Sequence, residues 1–467
     1  MIGSETVAIA ESDASNTQTI TLSATFGNLA NGKLYGNAVK VTARVTNPSK
    51  DNSFASKLNC SLRTYNSAED EVGDYAYATV KSKNISINKS GSTDVEFEFD
   101  GLEQGKFYCL RFTYVQGYTE DGTQKTHTQQ ALITERYQMD GGYKIYNVDG
   151  TYTLAPTASE IDAEDARCVD LTPFGSLDGI SITPSSNPNC LYILPTKAEA
   201  PSSLSGRNVV CDGSTSALNL SDGYDFFTPI SFIAENVSYT RTFTLAAGGT
   251  QGWNTIFLPF AVETITVDDG SVGGKEVDWF HSSEDTGKNF WLREFTSDSE
   301  GTVVFDFAKA MKAYTPYIIA VPGDTWGDEW RMTGRAVTFS GSNAKITATA
   351  DASVSGNHYA FCGNTQATHQ SDIYVLNDKG SRFSKAASAT DIAPFRAWFS
   401  PISISSLSLA SLSIGSPTPT SLWLNPINAA PVSEWYTMDG RKLQGKPQRK
   451  GMYIQSSGNS SRKVMIK

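Results

Sequence analysis

"DVEFEFDGL", residues 94–102, decides the fold. Successive side chains of an extended chain point to opposite faces, so Val95, Phe97 and Phe99 line one side and Glu96 and Glu98 the other. A helix would scatter the same residues around its circumference. Upstream, "AVKVTARVTNPS" (38–49) has the same design, with Val39, Val41, Ala43 and Val45 inward and Lys40, Thr42 and Arg44 outward, until Pro48 ends the strand. Downstream, "LEQGKFYCLRFTYV" (102–115) turns at Gly105 and re-enters a strand on which Tyr108, Leu110, Phe112 and Tyr114 alternate. Half-buried strands joined by polar turns predict an all-β body, and 18–137 reads as one β-sandwich. Its turn followed by an aromatic-rich strand resembles immunoglobulin-like and fibronectin type III domains.

The composition agrees. The 467 residues are 39% hydrophobic, 11% aromatic and only 19% charged, and the 38 glycines suit many short strands and turns. This length divides into about three domains. From 138 to 235, short apolar runs ("CVDLTPF", "GISITP", "NCLYILP", "NVVCDG", "ALNLSD") recur at uneven intervals, which predicts a meander or a few rungs of a β-solenoid; "SEIDAEDAR" (159–167) reads as a short helix. From 236 to 416 the chain becomes aromatic, all eight tryptophans lying beyond residue 250, and a second sandwich or jelly roll is expected. "GSPTPTS" (415–421) reads as a linker, and 424–467 as small C-terminal hairpins.

A formal net charge of -11 repels phosphate backbones and anionic lipid surfaces, so no nucleic-acid partner is expected. The apolar run "YTPYIIAVPG" (314–323) is broken by Pro316 and Pro322 and falls short of a membrane span. The first twenty residues lack a basic segment followed by an apolar one, so no export signal is expected in this stretch. Everything after Asp439 carries eight Lys or Arg and no acid, an inversion of the whole chain's charge.

"YTRTF", "GWNTIFLPFAV", "PYIIAV", "DIYVLNDKGSRF" and "PFRAWF", with the tail "YTMDGRKLQGKPQRKGMYI" and "RKVMIK", resemble a group of secreted or cell-surface proteins of Bacteroidota. The tail is similar to the C-terminal sorting domain of type IX secretion. On that resemblance Asp439, Gly440 and Arg441 match its first turn, Gly451 and Tyr453 its G-x-Y strand, and Lys463 and Lys467 its closing basic strand. The resemblance implies export, with the secretion machinery as partner through the tail, and therefore a fragment or a mature form lacking its signal.

Chemistry-bearing motifs are sparse. His127, His281, His358 and His369 show no paired-ligand spacing, and no nucleophile elbow, phosphate loop or dinucleotide fingerprint occurs, so neither a catalytic site nor a cofactor is expected. "NHYAFCGN" sets His358 near Cys362, which reads as an ordinary strand cysteine. Glycosidase carboxylates are placed by the fold, so the 49 acidic residues do not single out a pair. Asp222 and Asp225 in "LSDGYD" lack calcium-loop spacing and read as a turn. "PGDTWGDEWRM" (322–332) gathers Trp326 and Trp330 with Asp324, Asp328 and Glu329. It is either a sugar-stacking platform or a hairpin capping the sandwich end. Cys60 shares a face with Leu58 and Leu62, whereas Cys109 shares one with Arg111 and Thr113, so the two are not expected to pair. The sequence leaves Cys168, Cys190, Cys211 and Cys362 open. The expectation is a non-catalytic surface protein for adhesion, ligand display or support of a surface enzyme, with a glycan or a surface protein as ligand. The alternatives are the accessory half of a secreted hydrolase and a carbohydrate-binding module.

Overall fold

A computed structural model describes residues 4–7, 20–71, 76–120, 123–248, 251–348, 352–403, 409–415, 434–437, 441–443, 447, 450–457 and 460–466. The chain is all-β and divides into two bodies, residues 1–215 and 216–467. The described helical content is two 3-10 turns, Ser202–Leu204 and Asp324–Trp326. Among the described residues no helix is long and apolar enough to cross a membrane.

The first body opens with β1 (Ser4–Val7), β2 (Thr21–Phe26), β3 (Leu29–Ala30), β4 (Lys33–Leu34), β5 (Val39–Thr46) and β6 (Phe54–Tyr65). There follow β7 (Ala76–Ile87), β8 (Ser92–Phe99), β9 (Phe107–Glu120), β10 (Thr123–Ile133) and β11 (Tyr137–Met139). One sheet runs β1-β2-β5-β8, and the other β3-β4-β11-β9-β6-β7 with β10 beside β9. The alternation read from the sequence sets their facing sides. Val39, Val41, Ala43, Val45, Val95, Phe97 and Phe99 share one buried core with Leu58, Cys60, Leu62, Tyr108, Leu110, Phe112 and Tyr114. Phe97 meets Phe112 edge-on at 6.0 Å across that core.

The antiparallel register sets Cys60 against Phe112 and Cys109 against Arg63, so the two thiols leave opposite faces of the same sheet, as the residue pattern implies. Both are free; Cys60 is in the core, and Cys109 has its sulfur 3.9 Å from the Tyr65 hydroxyl. Burial pushes both thiols up, away from the reactive thiolate.

Residues 143–210 form a solenoid-like segment. A hairpin, Tyr143–Tyr146 with Tyr152–Ala155, pairs onto Cys168–Asp170, which continues in parallel with Leu191–Ile193 and Asn208–Val210. Glu160–Asp162 and Ser181–Thr183 pair in parallel as a second, two-stranded sheet. Ile161, Val169, Ile182, Tyr192 and Leu194 fill the space between. The helix expected over 159–167 is a correction: Glu160–Asp162 is a strand. The Asp162 carboxylate then accepts the Glu164 N–H at 3.0 Å, and Glu164 takes φ 41°, which ends any helical path.

Polar contacts tie sandwich to solenoid within this body. Lys144, only 1% exposed, reaches Asp100 at 2.8 Å, with the Tyr152 ring 4.4 Å from its ammonium. Lys40 donates to the Tyr152 carbonyl at 2.9 Å, and Asn37 to Asp170 at 3.1 Å.

In the second body, Leu218–Ser221 and Phe232–Thr242 run parallel, and Ala336–Ile346, Thr264–Val267 and Lys275–Glu276 extend that sheet. The 138–235 segment thus contributes strands to both bodies. A ten-stranded sheet follows, from Trp253–Leu258 at one end to Ala352–Ser355 at the other. It curls so that Phe257 N–H bonds the Phe395 carbonyl at 3.2 Å and Ala397 N–H the Thr255 hydroxyl at 3.1 Å. Its concave side is aromatic: Phe399 lies 4.5 Å from Phe361, 4.8 Å from Phe383 and 5.1 Å from Phe295. The C-terminal strands Glu434–Thr437, Lys442–Leu443, Gly451–Ser457 and Ser460–Ile466 form a four-stranded antiparallel sheet of their own, with Trp435 buried. Asp439, Gly440, Lys467 and the 416–421 part of the expected linker lie outside the described residues.

Candidate binding surfaces

The loop after strand Thr315–Ala320 holds all five residues singled out around Trp326. Gly327, at φ 96°, reverses the chain between the two tryptophans, so they serve different neighbours. Trp326 packs at 5.6 Å on Trp291 and donates its indole N–H to the Ala247 carbonyl at 3.2 Å. Trp330 has the Lys275 ammonium 5.5 Å from its ring centre. Asp324 pairs with Arg331 at 3.1 Å, and Asp328 with Arg335 at 2.9 Å and Arg331 at 3.5 Å. The Glu329 carbonyl accepts from Lys275 at 2.7 Å, while Glu329 itself stays exposed. Trp326 is thus a cap on the aromatic core, and two of the three acids hold arginines of their own loop.

Two other polar groups noted in the sequence carry structure. Asp222 receives Arg396 through both carboxylate oxygens, at 2.7 and 2.9 Å, and the Tyr239 hydroxyl at 2.5 Å. Burial opposes ionisation, yet the Arg396 hydrogen bonds and charge, helped by Arg241, hold the Asp222 carboxyl below the usual carboxylate range. Burial likewise pushes Arg241 down to about 10. Asp225 accepts the Ala367 N–H at 2.6 Å. His358 turns its ring to Asp298 at 3.4 Å, and the same carboxylate accepts the N–H groups of Asn357, His358 and Tyr359 at 2.7–2.9 Å. Cys362 lies with its sulfur 3.5 Å from the Ala360 carbonyl. Among the described residues no three His, Cys, Asp or Glu side chains group so as to hold a metal ion.

An open surface occurs in the first body, where sequence reasoning named none. Among the described residues β7 and β8 are each the last strand of their sheet, and a cleft of about 670 Å³ runs past them, bordered by Lys81, Ser82 and Lys83 on one side and Glu96 and Glu98 on the other. A further 420 Å³ follows alongside Asn84–Ser86 and Thr93–Val95. The available signal was "VKSKNISI" (80–87): Lys81 and Lys83 occupy the alternation of the buried Ile85 and Ile87, and charge on the core-facing side marks a sheet edge. Their ammoniums sit 5.5 Å from the Phe99 and 5.9 Å from the Phe97 ring centre.

No family description matches the chain, and no curated protein does. Among solved structures, a Paenibacillus cycloisomaltooligosaccharide glucanotransferase complexed with cycloisomaltoheptaose aligns over 69% of this chain and 71% of its own, at 8% identity and a TM-score of 0.16. A structure titled pT26-6p aligns over 87% of this chain and 65% of its own, also at 8% and 0.16. Such scores carry no argument about shared fold or activity.

Proposed function

We propose that this is an exported surface protein that binds rather than transforms its ligand, with its C-terminal sheet as the export address. The observation that carries the reading is the tail: the three strands of the basic segment join Glu434–Thr437 in a four-stranded sheet, giving a receptor a folded object to read. Within it Gly451 and Tyr453 lie on one strand, paired with Ile466 and Val464, and Lys463 is exposed on the closing strand. The commitment of Asp222, Asp298, Asp324 and Asp328 to internal partners supports a scaffold and not a hydrolytic centre. An immunoglobulin-like reading of the N-terminal sandwich draws support from Tyr108. Its hydroxyl bonds the backbone of Glu103, accepting from N at 2.9 Å and donating to O at 3.3 Å, the geometry of a tyrosine corner.

The test is deletion of residues 424–467 from a signal-bearing form in a host competent for type IX export. The reading expects loss of surface delivery with the remaining chain folded. Unchanged delivery overturns it. Measurable peptide or polysaccharide hydrolysis by the purified chain, abolished by one carboxylate substitution, overturns the non-catalytic part.

A further inference from the structure

We propose that the free edge of β7, over residues 79–84, is a docking site for an extended segment of a different protein, added as a further strand and carrying acidic side chains. This names a partner class for the binding protein proposed above and is independent of how that protein is delivered.

Among the described residues β7 pairs with β6 alone, which leaves alternate N–H and C=O groups along its other side to another strand. Thr79 to Asn84 are exposed in succession, on both faces of the strand, before Ile85 and Ile87 return to the core. The cleft beside this edge leaves room for an added strand and its side chains. Edge strands are blunted by brevity, proline, a covering loop or inward-pointing charge; this one is twelve residues long without proline, and its guard is Lys81 and Lys83, which oppose a basic newcomer but not an acidic one.

Charge selects the occupant. Among the described residues Lys81 and Lys83 form no ion pair, and each lies over an aromatic ring instead. A second copy of this chain is a poor fit: antiparallel pairing of β7 with itself about Ser82 sets Lys81 opposite Lys83 twice on one face, and like charges directly opposed destabilise a sheet. Carboxylates at alternate positions of an added strand would face the same lysines with opposite charge. The acids already in the cleft stand on β8, where Glu98 is paired in register with Lys40 and Glu96 with Thr42. The cleft lining therefore carries three lysines, Lys40, Lys81 and Lys83, against two glutamates.

The experiment uses the full chain and two probes, the acetylated and amidated peptides TVEVEVT and TVKVKVT. Binding is followed by fluorescence anisotropy and mapped by amide hydrogen exchange. The expected result is slowed exchange over 79–84 with the glutamate peptide, and affinity for the lysine peptide about tenfold weaker, the scale of two partly exposed charge pairs. In the double variant Lys81→Glu, Lys83→Glu the preference reverses. Absence of slowed exchange at 79–84 with millimolar glutamate peptide overturns the proposal, as does equal affinity for both peptides. A concentration-dependent dimer with 79–84 already protected in the peptide-free protein assigns the edge to a second copy and overturns it too. None of these outcomes touches export, which is tested by the tail deletion.

Discussion

Asp222→Asn removes one charge and almost no volume from a site where two arginines converge. In the wild type Arg396 grips both carboxylate oxygens, Tyr239 donates to one of them, and Arg241, 7% exposed, lies 3.7 Å from the other. The substitution leaves two guanidiniums facing a neutral amide. Breaking a buried ion pair from one side costs about 3–5 kcal/mol. Because the Asp222 and Arg396 side chains each keep 22% exposure, the lower end applies, about 3 kcal/mol. For a body of this size that lowers the thermal midpoint by about 6–12 °C. All eight tryptophans lie in the second body, so tryptophan fluorescence follows its unfolding alone. The pH dependence has a definite sign. The folded-state pKa of Asp222 lies below its unfolded value, so its contribution is complete above about pH 4 and is lost as pH falls through the folded value. The gap between wild type and variant should therefore be widest at neutral pH and narrow in acid. A midpoint shift under about 2 °C at pH 7 refutes the staple, since it corresponds to under 1 kcal/mol.

Gly380→Ala, at φ 59° with the new Cβ 2.1 Å from the Trp253 carbonyl oxygen, should cost at least about 2 kcal/mol by chemical denaturation, above the usual penalty for a left-handed alanine. Trp326→Ala should destabilise by about 2 kcal/mol or more and Trp330→Ala by under about 1, because Trp326 alone packs on the aromatic core; the reverse order in thermal melts would make Trp326 the exposed platform. In non-reduced peptide mapping Cys60 and Cys109 should be recovered unlinked, and under native conditions Cys211 and Cys362, the partly exposed thiols, should be alkylated before Cys60, Cys109, Cys168 and Cys190. Burial pushes Cys190 up to about 12, so little thiolate is present there at neutral pH.

The sandwich was legible because its signal is local. "VKVTARV" and "DVEFEF" repeat every two residues over enough length to fix strand, face and core together, and the register bears that out pair by pair. The solenoid segment was legible only as an option, since its rungs are three residues long and too short to show a period. "SEIDAEDAR" read as a short helix, yet Ile161 and Ala163 stand two apart, the spacing of one strand face, and with Ala166 beyond the turn they pack into the solenoid core. The polar sites were illegible for a different reason. Asp222 and Arg396 stand 174 residues apart, and Asp298 takes three amides about 60 residues onward, so no window of sequence contains both halves of either site. The β7 edge lay between these extremes: its lysines were visible in the alternation, but that β7 ends its sheet is a fact of topology.

The most direct test of the central claim is a transplant of the tail. Residues 424–467, joined to a signal-bearing fluorescent protein in a type IX-competent host, should bring that protein to the cell surface, where external protease removes its fluorescence. The same fusion lacking residues 451–466, the last two strands of the sheet, should stay inside. Surface delivery by both fusions, or by neither while the tail is folded, contradicts the account.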